Sequence, residues 1–389
     1  MTDPRTRLAR DFERFKRGLP RDFPAHAREA YGVDLTARYL GETIRHPIGK
    51  GSGQLSLNPA QLEADAAAGL AFSVLKTVIA EDHTGARAME AWAIPESRMT
   101  VERRRGGSGA LGWTVTWKGR GWDRTLDDYC GLVRAGRDLT RAGALLVAPS
   151  VKYHLPAADQ PFCEAEYRHT TRVLAAAWGT GPMLLEKDFS PTLAGDERAG
   201  DRGAVLRWLR EVPNLVRAAS PAPVRLAVKL MNARFDDGFQ VEMMRAAVAG
   251  GADAVVCFNR LFDSDTGVAY GGWDLSDRNL RVLDRLHALT PGASPGFPTL
   301  TGTGNIGTGK MVLEYARRGC ASVQLHTFFQ LPLGVYPAER GSRTERALHA
   351  LVFDPADGLV AGMLDLEAAG ALERRGGELH FLDVGLHAH

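Results

Sequence analysis

LTGTGNIGTGKMVLEYARRGCASVQLHT, residues 300–327, reads as one strand–helix–strand unit. A short apolar run meets a turn containing Gly302, Gly304, Gly307 and Gly309; a helix with an apolar face follows, and then ASVQLHT, a second short strand. Two successive strands joined through a helix run parallel, so the stretch argues for an α/β fold. Glycine lets a backbone approach another backbone or a ligand closely, and a glycine-rich turn before a helix leaves N–H groups to face an anion. The turn therefore reads either as a phosphate site or as an ordinary strand-to-helix connection, and the rest of the chain has to separate the two.

Outward from this unit the same alternation repeats. HPIGKGSG (46–53), FSVLKTVI (72–79), GALLVAPSV (143–151), GPMLLEKDF (181–189), VRLAVKLM (224–231), DAVVCFNR (253–260) and FPTLTGTG (297–304) join ASVQLHT (321–327) to make eight strand candidates. Helical stretches lie between them, several ending in glycine just before the next strand. Eight strands in alternation predict a (β/α)8 TIM barrel over residues 41–340, with an open parallel sheet as the alternative. Residues 1–40 read as an N-terminal helical extension with a short hairpin, and residues 341–389 as a small C-terminal extension of helices and a hairpin. Residues 90–125 are too long for a plain connection and read as a lid over the barrel mouth.

Bulk properties exclude several function classes. The 389 residues carry 48 Lys and Arg against 46 Asp and Glu, a formal net charge of +2, so no global field selects nucleic acid or an anionic membrane. No apolar run has membrane length, and the charged N-terminal stretch lacks a signal-peptide pattern, which predicts a cytoplasmic protein. Cys130, Cys163, Cys257 and Cys320 are far apart and no histidine motif has ligand spacing, so no metal site is expected.

Barrel enzymes work at the C-terminal ends of their strands. The residues collected there are Ser52, Gly53, Lys76, Thr77, Ser150, Lys152, Lys187 to Ser190, Lys229, Asn259, Gly302 to Asn305, His326 and Thr327. In this fold the loops after the seventh and eighth strands commonly form a phosphate site, which favours the phosphate reading of residues 302–309.

Three segments together resemble the dihydroorotate dehydrogenase family of FMN-binding barrels: HPIGKGSG, then VKLMNARFDDGFQVEMMRAAVAGGADAVVCFNR, then LTGTGNIGTGKMVLEYARRGCASVQLHT. The family shows N-P-x-G-x-A-x-G, then V-K with a helix and A-G-A-D-x-x-x-x-x-N, then G-x-G-G-I with a helix and G-A-x-x-V-Q-x-x-T. The resemblance spans roughly residues 35–335 and implies FMN as cofactor. It places Ser52 and Gly53 at the isoalloxazine edge, Thr77 in contact with the flavin with Ser150 and Lys187 also in the cofactor set, and Lys229 at the N1/O2 end. There a fixed cation stabilises the charge left by two-electron reduction. It implies that Gly272, Gly302, Gly304, Asn305, His326 and Thr327 surround the FMN phosphate. Ser190, directly before Pro191, takes the place of the catalytic base, which removes a proton from one carbon as hydride leaves its neighbour.

Of the asparagines with which the family reads dihydroorotate, Asn259 is kept. Lys187 and Thr192 stand at two others, and TWKGRGWD, containing Lys118, replaces a further motif. Asn259, Lys118 and Thr192 are thus the expected substrate-binding residues. Because a site built around specific donors loses heavily when they change, a different substrate is implied. The expected activity is FMN-dependent oxidation or reduction of a C–C bond next to a carbonyl or amide in a small, perhaps cyclic, molecule. The electron acceptor or donor is open, and a homodimer is the default assembly. Two competing readings are a flavin-free lyase or aldolase with Lys229 as Schiff base to a phosphorylated substrate, and a non-catalytic flavin or nucleotide binder.

Overall fold

The computed structural model describes residues 3–90, 99–105, 109, 111–117, 121–189, 200–233, 235–263, 268–272, 275–289 and 297–385. Helices α1 (Pro4–Phe15) and α2 (Phe23–Tyr31) begin where Asp3 and Asp22 accept the N–H groups of Thr6 and Ala25, each with a proline in the first turn. Gly32, at φ +63°, ends α2 in the left-handed conformation that favours glycine. Next come β1 (Val33–Asp34), β2 (Ala37–Tyr39) and β3 (Glu42–Ile44), with β2 and β3 paired as the expected hairpin.

The central run is β4 (Ile48–Lys50), α3 (Pro59–Ala67), β5 (Phe72–Val74), β6 (Val78–Ile79), β7 (Met99–Arg105), β8 (Leu111–Trp117), α4 (Leu126–Arg141), β9 (Leu146–Ala148), β10 (Ser150–Lys152), α5 (Glu164–Trp178) and β11 (Met183–Asp188). It continues with α6 (Arg202–Ala219), β12 (Val224–Met231), α7 (Asp237–Ala249), β13 (Ala254–Asn259), β14 (Leu261–Asp263), β15 (Val268–Gly272), α8 (Leu275–Leu289), β16 (Thr299–Thr303), α9 (Gly309–Arg317) and β17 (Cys320–Leu325). The tail holds α10 (Arg343–Phe353), α11 (Leu359–Ala368) and β18 (Leu379–His380).

Ten strands form one curled parallel sheet surrounded by helices, in the order β6-β10-β11-β12-β13-β16-β17-β4-β5-β9. Every strand run expected from the sequence contributes to it, two of them as pairs of short strands. Pro149, which has no N–H to donate, separates β9 from β10. β9 pairs with β5, whereas β10 pairs with both β6 and β11. All six residues of β11 and seven of the eight in β12 are buried, as expected of strands covered on both faces.

A second, antiparallel sheet has the order β14-β15-β8-β7. Its β7–β8 hairpin is the insertion expected near 90–125. Its other half, β14 and β15, comes from after β13 and was not anticipated, although apolar LF and VAY flanking DSDTG is a hairpin signature. The two halves join through Gly271 paired with Val115 and Gly272 with Thr114.

The terminal extensions pack on each other. Phe12 stacks on His349 at 4.4 Å, and His349 Nε2 lies 2.8 Å from the Phe12 carbonyl oxygen. The tail hairpin expected from the sequence reduces to a bridge between Arg375 and Glu378, because the strand that follows, β18, pairs in parallel with the distant β1. Among the described residues, no helix is long and apolar enough to cross a membrane.

Candidate active site

A cavity of about 840 Å³ opens where the parallel strands end. Each part of its wall comes from a different strand end: Gly51 and Ser52 after β4, Lys76 and Thr77 before β6, Asp188 on β11, Lys229 on β12, and Asn259 and Arg260 at the end of β13. Thr303 to Ile306 follow from the β16–α9 connection, and Gln324 to Phe328 from the end of β17. Val115, Gly271 and Gly272 of the antiparallel sheet complete the wall. Nine residues expected to bind cofactor or substrate therefore line one space: Ser52, Thr77, Lys229, Asn259, Gly272, Gly304, Asn305, His326 and Thr327.

At one end hydroxyls and charges are held from behind. Thr77 Oγ1 lies 2.9 Å from Ser52 Oγ and 3.0 Å from Ser150 Oγ, so Ser150 orients Thr77 without reaching the cavity. Lys229 Nζ donates to Gln324 Oε1 at 3.3 Å and stands 3.7 Å from Glu186 Oε1. Gln324 Nε2 donates to Glu186 Oε2 at 2.6 Å and to Tyr39 Oη at 3.3 Å. Asp188 stands 3.6 Å from Lys152 Nζ. Burial, with the charges of Arg260 and Lys152, pulls the Lys76 ammonium down to about 7. Burial and the cations Lys76, Lys229 and Arg260 hold the His326 imidazole well below its usual range, so the ring is neutral. Gly53 lies behind this ring.

The other end suits an anion. Gly304 adopts φ +116° and Asn305 φ +48°. Asn279 Nδ2 donates to the Thr303 carbonyl at 2.7 Å and Tyr315 Oη to the Gly304 carbonyl at 2.9 Å, so the loop's acceptors are satisfied from outside. Among the described residues, the N–H groups of Gly304, Asn305, Ile306 and Gly307 meet no acceptor. A loop whose N–H groups lack acceptors is what a phosphate cradle requires. Gly272 closes it from the antiparallel sheet at φ +102°, where a Cβ would stand 2.8 Å from the Trp113 carbonyl oxygen and 3.1 Å from Thr327 Oγ1. An adjoining recess of about 270 Å³ shares Gly272, Asn305, Ile306, Thr327 and Phe328 with the cavity.

Four expected cofactor residues do not line the cavity: Gly53 and Ser150, which back residues that do, and Lys187 and Gly302. Lys187 does not reach the cavity: its Nζ donates to the Asp188 carbonyl at 2.8 Å and lies 4.4 Å from the centre of the Phe189 ring. Side chains alternate along a strand, so with Glu186 and Asp188 turned inward Lys187 must turn outward. Asp188 occupies the wall position expected of Lys187. Gly302 serves packing, because a Cβ there would overlap the Tyr315 ring of α9. Ser190, Lys118 and Thr192 lie outside the described residues.

Asp188 and Lys76 stood among the strand-end residues without a role, and Glu186, Gln324 and Arg260 were not singled out. Strand phase along LLEKDF was the available signal for Glu186 and Asp188. Asp34, Glu378 and His380 are close enough together to hold a metal, but Arg28 already meets Asp34 at 2.7 Å and Glu378 at 3.4 Å, and none of the three lines the cavity. No family model and no curated protein matches the chain.

Proposed function

We propose that this chain is an FMN-dependent oxidoreductase on a (β/α)8 barrel, similar to dihydroorotate dehydrogenases but with a different substrate. The barrel reading is supported by the pairing of one interrupted run, β9 and β10, with both β5 and β11 at opposite ends of the sheet order. The observation that carries the functional reading is the division of a single cavity wall, among the described residues, between Gly304 to Ile306, whose N–H groups meet no acceptor, and the charged side chains of Lys229 and Lys76. FMN, a phosphate joined to a redox ring, has that division, and when bound it supplies two-electron chemistry at a C–C bond next to a carbonyl or amide.

The residues divide the work. Gly272, Gly304, Asn305 and Thr327 hold the phosphate. Lys229, fixed by Gln324 and Glu186, sets a positive charge where the ring gains negative charge. Ser52 and Thr77 lie along the ring edge, with Ser150 orienting Thr77. Asn259, Lys118 and Thr192 bind the substrate, and Ser190 moves the proton. Asp188, Lys76 and Arg260 add charge to the substrate side, which distinguishes this site from one read by neutral asparagines.

The test is the visible absorption spectrum of the purified protein, followed by mass identification of any released chromophore. Oxidised-flavin bands and released FMN are expected. Protein that stays colourless after incubation with FMN would discard the reading. A flavin-free lyase is the second reading, favoured by a lysine amine near neutrality in the cavity. Lys229 is the Schiff-base residue of that reading, and Lys76, brought to about 7 by burial in the same cavity wall, is a second candidate amine. Borohydride trapping of a carbonyl compound on either lysine would favour this alternative.

A further inference from the structure

Behind Lys229 stands a carboxylate that touches no ligand space. Glu186 is fully buried on β11 and does not line the cavity, whereas its partners Lys229 and Gln324 do. Its two oxygens are divided between them: Oε2 takes the 2.6 Å bond from Gln324 Nε2, and Oε1 faces Lys229 Nζ at 3.7 Å. Gln324 closes the triangle by accepting from Lys229 at 3.3 Å. A buried ion pair is weak evidence for stability, since an apolar pair of similar volume often serves as well. An internal carboxylate in this place therefore calls for a role.

We infer that Glu186 is a positioning residue that holds Lys229 at the cavity wall and takes up one proton when negative charge is placed beside that lysine. The inference rests on the FMN reading of the cavity. When two electrons and one proton enter the bound cofactor, one negative charge is left next to Lys229, and a solvent proton on Glu186 balances it. The electrons come from a two-electron donor, dithionite in the test below.

The charged and titratable groups around Glu186 agree with this direction. Burial pushes its carboxyl up, and the Lys229 charge opposes that push. Asp188, two residues along β11, adds to the push. Tyr39 on β2 is itself raised by burial and stays neutral. Lys229 is thus the main charge opposing that upward push, and an anion that claims Lys229 leaves burial unopposed and favours the protonated carboxyl.

The experiment uses FMN-loaded full-length protein and records the reduced-minus-oxidised infrared spectrum at neutral pH, together with the pH dependence of the FMN midpoint potential. In the wild type a protonated-carboxyl band is expected to grow on reduction. In Glu186→Gln that band is expected to be missing and the slope of potential against pH to fall to about half, as one proton fewer accompanies two electrons. A wild type with no such band overturns the inference even if Glu186→Gln fails to fold, and so does a variant with the wild-type slope. Protein that takes up no FMN overturns the functional reading as well, whereas FMN-loaded protein without the band overturns this inference alone.

Discussion

Gly53 and His326 are so close that a Cβ on residue 53 would overlap Nε2 of the imidazole. Gly53 has no left-handed φ, so the requirement for glycine comes from space and not from backbone conformation. The contact fixes the loop after β4 against the end of β17, two walls of the same cavity.

Gly53→Ala must therefore displace either the ring or the loop. Overpacking of this kind typically costs about 1–3 kcal/mol. Thermal unfolding is expected to show that loss, and equilibrium dialysis to show FMN affinity reduced by at least tenfold. A Gly53→Ala protein with wild-type affinity would contradict the cofactor role of this wall.

Lys187 and Lys76 predict an unusual pH dependence of stability. Burial brings both ammonium groups to about 7 in the folded protein, against roughly 10.4 in an unfolded chain. Below pH 7 both states are protonated and the full penalty of the buried charges is present. Between about 7 and 10 the unfolded state binds more protons, so stability rises with pH as the folded lysines become neutral. Lys187→Met is expected to raise the melting temperature at pH 7 and flatten that rise, while FMN content stays unchanged because Lys187 lies outside the cavity.

The glycines of the 302–309 turn are expected to separate by function. Gly302→Ala pushes a methyl group into Tyr315 and should lower stability while keeping the preference for FMN over riboflavin. Gly304→Ala imposes a Cβ at φ +116° and within 2.6 Å of Asn279 Nδ2. It should reduce binding of FMN more than that of riboflavin, which lacks the phosphate. Equal losses for both ligands would remove phosphate from the assignment of this loop.

Ser190 is tested by the kinetics of flavin reduction once a substrate is identified. Loss of a positioned general base typically costs about 10²- to 10⁴-fold in rate. Ser190→Ala is expected to fall in that range with FMN content unchanged, and Ser190→Cys to recover part of the rate. An undiminished rate in Ser190→Ala would assign proton transfer to another group, with Lys76 the first to examine.

The repeating pattern of the chain was legible because strand and helix periodicity are local. Each of the eight strand runs expected from HPIGKGSG to ASVQLHT became part of the parallel sheet, and the Asp-Pro and Asp-x-Pro starts of α1 and α2 behave as their caps predict. The convergence of Ser52, Thr77, Lys229, Asn259, Gly304 and His326 was also legible, since each stands at a strand end and parallel strands bring those ends together.

Other assignments depended on phase and on distant partners. Lys187 and Asp188 are equally polar neighbours in LEKDF, and only the direction of the strand in the sheet decides which faces the cavity. Gly302 and Gly304 are two residues apart in one turn, yet one makes room for Tyr315 and the other forms part of the cavity wall. The partners of Glu186 come from residues 229 and 324, and the second half of the covering sheet from Leu261–Asp263 and Val268–Gly272. By itself the sequence determined which segments become strands and which residues stand at their ends, because backbone propensity and side-chain period act over a few residues. Tertiary structure alone decided which of those side chains meet, because that depends on the twist and register of strands far apart in the chain.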